Sequence, residues 1–210
     1  MAAGVLIVGA GGFGQSVVDA LALQEAVAGF VDDRADLQAR VLGIPVLGRV
    51  CDLATLRQQH DRLVVAIGDN KLRRRLSEAA MVLGYRLVAV VHPRAWCSPH
   101  AHIGDGALVM AGAVVGTAAQ VGKGAIVNAA AVVDHHANVG DFAHLGVGAC
   151  MAGGAHLGEG AWLQEGAVLR AGQAVTAHQV VMADTSTGLR HDSERNQSQG
   201  MPPRKGTKAP

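Results

Sequence analysis

Aromatic side chains are nearly missing from this chain. They make up 3% of it, as one Tyr, two Trp and three Phe. A core filled with rings is therefore excluded, and large aromatic anchors are scarce. An excess of charge of one sign is missing as well. The 18 Lys and Arg residues face 17 Asp and Glu, a net charge of +1. No basic stripe is left over to neutralise a phosphate backbone, so nucleic acid is not an expected partner. Cysteine is rare: Cys51, Cys97 and Cys150 are scattered, with no CxxC among them. That excludes a disulfide framework and a structural zinc site, and it fits a reducing compartment. No run of about 18 apolar residues could span a bilayer, and no charged-then-apolar leader opens the chain. No membrane partner is expected, and the expected location is the cytoplasm.

What the chain has instead is small and aliphatic. Hydrophobic residues make up 50% of it, and there are 28 glycines. From Ile103, steps of six residues land on Val109, Val115, Val121, Val127, Val133, Val139, Leu145, Met151, Leu157, Leu163, Leu169, Val175 and Val181. Four residues after Ile103 and after each aliphatic up to Leu163 sits an alanine, from Ala107 to Ala167. Gly often follows the aliphatic directly, as in Ile103-Gly104, Val121-Gly122 and Val139-Gly140. A period of six matches neither a 3.6-residue helix nor a heptad. It matches a β-solenoid in which each hexad makes a short strand and a corner, and three hexads close a triangular coil. The aliphatic fills the interior, and the alanine is small because the prism is narrow.

Residues 4 to about 90 follow another pattern. The apolar strand Val5-Leu6-Ile7-Val8 runs into Gly9-Ala10-Gly11-Gly12-Phe13-Gly14, followed by helical spacing at Val17, Val18, Leu21 and Leu23. A second strand, Ala28-Gly29-Phe30-Val31, ends in Asp32-Asp33. Strand, Gly-rich turn, helix, strand and acid in this order resemble a Rossmann-type nucleotide site. There the glycines admit phosphate and a carboxylate meets a ribose hydroxyl. A strand at Leu63-Val64-Val65-Ala66-Ile67 ends in Gly68-Asp69-Asn70, a helix is expected from Lys71 to Leu83, and a last strand over 87–91. The unit is too short for two mononucleotide halves, so a single nucleotide is the expected cargo. The same glycines would also serve a tight strand-to-helix turn with no ligand.

The polar exceptions among the hexads mark the candidate chemistry. The densest is Asp134-His135-His136, with Asn138, Asp141 and His144 after it. A neutral imidazole is well suited to take a proton near pH 7. His100, His102, His156 and His178 read as surface residues. Zinc is not expected, because a catalytic site needs three protein ligands and the spacing from His135 or His136 supplies no histidine pair.

Together these motifs resemble the bacterial sugar-nucleotide N-acetyltransferases of the bacillosamine and perosamine type, and the sialic-acid O-acetyltransferases. The resemblance rests on Gly9 to Gly14, Asp32-Asp33, Gly68-Asp69-Asn70, Val91-His92-Pro93, the hexads, and Asp134-His135-His136 with Gly140-Asp141-Phe142-Ala143-His144. It covers roughly residues 4 to 184. It implies an α/β Rossmann-like domain over 1–92, a left-handed parallel β-helix of hexapeptide repeats over 93–184, and a polar loop and tail over 185–210. It further implies a homotrimer with acetyl-CoA as co-substrate in the groove between prisms, and no metal. His135 corresponds to the general base. The next residue is normally an acid that raises the base's proton affinity, and here it is His136, so either Asp134 or Asp141 substitutes or the activity differs. His144 corresponds to the thioester contact, with Glu165 and Ala183 further along the cofactor. The sugar nucleotide corresponds to Gly11, Gly12, Phe13, Asp32, Asp33 and Gly68. The tail departs from the family: a polar stretch over 188–199 precedes an imperfect Gly200-Met201-Pro202-Pro203-Arg204 motif. Two other readings stay open, an O-acetyltransferase acting on a hydroxyl and a non-catalytic structural solenoid.

Overall fold

A computed structural model describes residues 4–22, 24–34 and 38–183. The expected tail over 185–210, with its loop and its Gly-Met-Pro-Pro motif, lies outside the described residues. The chain forms a small α/β layer followed by a left-handed parallel β-helix.

The α/β layer contains β1 (Val5–Val8), α1 (Gly12–Leu21), β2 (Val27–Val31), β3 (Arg40–Val41), β4 (Ile44–Gly48), α2 (Leu53–Leu56), β5 (Arg62–Val65), α3 (Asn70–Val82) and β6 (Arg86–Leu87). Its sheet runs β3-β4-β2-β1-β5-β6 and is parallel except where β3 meets β4. All four residues of β1 are buried, as a central strand covered on both faces requires. From β1 the chain goes to β2 on one side and later to β5 on the other, so β1 is the topological switch point. A crevice opens there, beyond the carboxyl ends of the strands. Two glycines make the turn possible. Gly9 has φ +102, and a Cβ on Gly14 would collide with the Gly9 carbonyl oxygen. The sequence signals the β3–β4 hairpin only by half: Gly43 suits its turn at φ 75, but the other turn position holds Leu42 at φ 49, where leucine is an unusual choice.

The β-helix consists of two-residue strands recurring every six residues, from Val90–Val91 to Val180–Val181. Residues 18 apart pair in register, as in Leu108↔Ile126 and Val114↔Val132, so three hexads complete one coil. Three parallel sheets result. The first face carries Leu108–Val109, Ile126–Val127, His144–Leu145 and Trp162–Leu163. The second carries Val114–Val115, Val132–Val133, Cys150–Met151 and Val168–Leu169, and the third Gln120–Val121, Asn138–Val139 and His156–Leu157. The inward aliphatics and the alanine column form one buried cluster. Each fully buried aliphatic stabilises the coil by roughly 1.5–3 kcal/mol.

The strand expected over 87–91 divides in two. Arg86–Leu87 pairs with β5, whereas Val90–Val91 pairs with Leu108–Val109 and is already a rung of the β-helix. Val90 faces the α/β layer while Val91 packs against the interior of the prism, so one short segment serves both cores. The two parts share a further seam. Val90, Leu108 and Ile126, which point outward from the first face, are buried with Val17, Ala20 and Leu21 of α1. Helix α3 lies along the edge between the third and first faces. There Asn70 Nδ2 donates to the Gly160 carbonyl at 3.0 Å and Arg74 pairs with Glu159. Among the described residues, no helix is long and apolar enough to cross a membrane.

Candidate active site

Gly11, Gly12 and Phe13 from the β1–α1 turn, Asp32 and Asp33 after β2, and Gly68 after β5 line one cavity of about 870 Å³. Arg34, after β2, and Arg75, on α3, also line it. Helix α1 starts without a side-chain cap and without an acid in its first turn. Its N-terminal N–H groups are thereby left for an anion. The acid pair is less free than the sequence implied. Asp32 accepts from the Ala10 amide at 2.7 Å and the Arg34 amide at 2.9 Å, and also from the Arg34 guanidinium at 3.1 Å. Burial alone would push the Asp32 carboxyl up, but the bonds from Arg34 and Ala10 outweigh it and hold the group below the usual range. Asp33 Oδ1 accepts from the Val50 amide at 2.8 Å. Both carboxylates therefore hold the walls of the cavity in place.

Behind Gly68 lies a second polar group that straddles the seam. His144 points outward from the first face and is only 8% exposed, because the α/β layer covers it. Its ring bonds the backbone of Gly68, its Nε2 stands 3.4 Å from Asn128 Nδ2, and Trp162 one rung further stacks on it with centroids 5.7 Å apart. Burial, then the neighbouring Arg73 charge, lower the His144 pKa to about 4, the Gly68 bond opposing them. The imidazole is thus neutral at pH 7. In the unfolded chain the group titrates near 6.5, so between pH 6.5 and 4 the unfolded state holds more protons. Stability should fall by about 3 kcal/mol as pH drops through that window. Urea melts from pH 7.5 to 4 on the protein and on a His144→Gln variant measure this: the variant's curve should be flatter, and parallel curves would contradict it.

Arg73 is what sequence reading missed. It is fully buried, with Nε donating to Gly124 O at 2.7 Å, Nη1 to Ile67 O at 3.0 Å and Gly68 O at 3.1 Å, and Nη2 to Asn70 Oδ1 at 2.9 Å and Phe142 O at 2.8 Å. One guanidinium therefore fixes the rim of the cavity to two coils of the β-helix. A signal existed, since Arg73 stands in the buried stripe Arg73, Leu76, Ser77 and Ala80 of α3. An arginine at i of an i, i+3, i+4, i+7 apolar face has to find buried acceptors.

The Asp134-His135-His136 corner lies on the edge between the second and third faces, following Val132–Val133 and preceding Asn138–Val139. Asp134 Oδ1 accepts from the His135 amide at 2.7 Å, and Asp134 Oδ2 lies 3.9 Å from His135 Nε2. His135 Nδ1 and His136 Nδ1 are 3.2 Å apart, with the rings edge to face. His136 has φ 58, in a column of left-handed corner positions where the chain otherwise places mostly Gly or Ala. Asp141, offered as a substitute for the missing acid, sits on another edge and accepts instead from the Lys123 amide at 2.8 Å. Glu165 and Ala183 fall on the edge between the first and second faces, one coil apart.

The structure thus gathers the six expected nucleotide residues into one cavity, places His144 directly behind it, and sets His135 apart. The edge carrying His135 is opposite the first face, on which the α/β layer sits. Among the described residues, no group of three or more His, Cys, Asp or Glu is arranged to hold a metal ion.

Known proteins share both halves of this arrangement. Residues 4–80 match the PglD N-terminal domain. A variant of perosamine N-acetyltransferase from Caulobacter crescentus, in complex with CoA and GDP-perosamine, is 41% identical with a TM-score of 0.74, over 86% of this chain and 89% of that one. The acetyltransferase domain of PglB from Neisseria gonorrhoeae, in complex with acetyl coenzyme A, is 36% identical with a TM-score of 0.80, over 87% and 89%. Among curated proteins no match is found.

Proposed function

Because the chain belongs to the sugar N-acetyltransferase family of hexapeptide-repeat proteins, we propose that it moves the acetyl group of acetyl-CoA onto the amino group of a nucleotide-linked 4-amino-4,6-dideoxy sugar. Acyl transfer from CoA and a nucleotide-sugar acceptor follow from the family. The carrier, UDP or GDP, the role of His135, a cytoplasmic location and a place in cell-surface glycan synthesis are our reading. The observation that carries it is the cavity at the switch point, with an uncapped helix terminus for phosphate and His144 against its rim.

The reaction needs few parts. The sugar amine attacks the thioester carbonyl, forming the C–N bond, and His135 takes the proton as the nitrogen adds. A backbone N–H of the β-helix steadies the oxyanion. Collapse breaks the C–S bond, and the proton goes to the departing sulfur. Acetyl-CoA supplies the activated acyl group, and the edge bearing Glu165 and Ala183 suits its thin chain. Gly148 and Gly166 are open there, with nothing within 4 Å of where a Cβ would be.

One chain cannot assemble these parts, and a ring of three copies can. The second face exposes an apolar column, with Trp96 at 56% and Val168 at 59%, and Val114, Val132 and Cys150 between them. If that face turns to a common axis, the His135 edge of each copy meets the Glu165–Ala183 edge of the next. This is a heterologous contact that closes by rotation. The direct test offers acetyl-CoA with GDP- and UDP-linked 4-amino and 4-hydroxy sugars and follows thiol release. Turnover with an amino sugar and a sequential initial-rate pattern are expected. Preference for the hydroxy sugar, or ping-pong kinetics, would refute the reading.

A further inference from the structure

The corner at residues 134–136 holds a pair of imidazoles where relatives of this family are expected to hold an imidazole and an acid, and its geometry gives the second ring a task. His135 Nδ1 and His136 Nδ1 approach to 3.2 Å, a hydrogen-bond distance between two ring nitrogens. One of them must donate and the other accept. We propose that His136 is a positioning residue that accepts the Nδ1 proton of His135, so that the lone pair of the pair's outer nitrogen, His135 Nε2, faces the acceptor amine. This rests on the reading of His135 as the base.

The opposite arrangement, with the proton on His136 Nδ1, would put the His135 proton on Nε2 and leave no basic nitrogen for the substrate. Three features hold the pair in register. His136 donates its own backbone N–H to Thr117 O at 2.9 Å, which anchors it to the preceding coil despite its left-handed φ of 58. The Gly154 amide donates to His135 O at 2.9 Å from the following coil. The His135 ring lies over Gly153, where a Cβ would stand 2.5 Å from its Cε1. Only glycine leaves that slot open.

The surroundings make the pair self-contained. The coils stacked on either side present Gly116-Thr117-Ala118 and Ala152-Gly153-Gly154, none of them ionisable. Asp134 is the charged group at the corner, and at 3.9 Å from Nε2 it is too far for a hydrogen bond.

The test uses the full-length protein with acetyl-CoA and its nucleotide amino sugar. His136→Gly removes the acceptor and suits the left-handed backbone. It should lower kcat roughly 10–100-fold, the loss typical when the partner orienting a functional imidazole is removed, with both KM values within about twofold. His136→Glu should restore most of kcat and move the acid limb of kcat/KM to higher pH. Nitrogen NMR of the wild-type protein above pH 8 should find His135 protonated at Nδ1. Protonation at Nε2, or wild-type kcat and pH profile in His136→Gly, would overturn the proposal. If His135→Asn also turned over normally, the base assignment itself would fall. If only His136→Gly did, the base would stand and the pairing would fail.

Discussion

His135→Asn should lower kcat by roughly 10²–10⁴-fold, the range over which a positioned general base acts. The side chain is 61% exposed at a corner of the β-helix, and its removal uncovers no core, so the melting curve should be unchanged. Asparagine keeps a polar group of similar reach and cannot take up the proton. Because the residues lining the nucleotide cavity do not include His135, KM for the sugar nucleotide should move little. A variant that turned over near the wild-type rate would remove His135 from the mechanism. The effect also has a composition test. Inactive His135→Asn mixed with a chain inactivated at the cavity should regain activity, because a site shared between copies needs one intact half from each.

Arg73→Met has the largest expected effect on stability. The guanidinium is fully buried, and its donors satisfy the carbonyls of Ile67, Gly68, Gly124 and Phe142. Burial, partly opposed by Asp69, lowers its pKa only to about 10, so it is a cation at pH 7. Methionine fills much of the volume and leaves those acceptors dry. Each costs about 1–3 kcal/mol, and with partial relaxation the loss should be on the order of 3–5 kcal/mol. Arg73→Lys keeps the charge but offers fewer donors and no fork, and should fall between the two. Since the same side chain tethers Gly68, the surviving fraction should bind sugar nucleotide more weakly. Denaturant midpoints and nucleotide titrations decide it, and a midpoint equal to wild type would show that the seam does not depend on Arg73.

The cavity is legible in the sequence because its parts are local. Gly9 to Gly14 and Asp32-Asp33 each sit at a strand end, and the strand order brings those ends together. The use of the acid pair is not legible, since Asp32 is spent on Ala10 and Arg34, a matter of side-chain geometry. The strand over 87–91 reads as one because Val88, Val90 and Val91 favour extension within a single apolar run. Only docking shows that Val90 and Val91 face different cores.

The hexad period alone determined the β-helix, its interior and the corner at Asp134-His135-His136, because each rung repeats the same local conformation and stacks on its neighbour 18 residues away. Tertiary structure decided which edge each polar residue occupies relative to the α/β layer. That layer is held by contacts such as Arg73 to Phe142, across 69 residues, which no repeat encodes. The same docking buries His144 and leaves His135 on the far edge, so the proposed chemistry draws on a second copy of the chain.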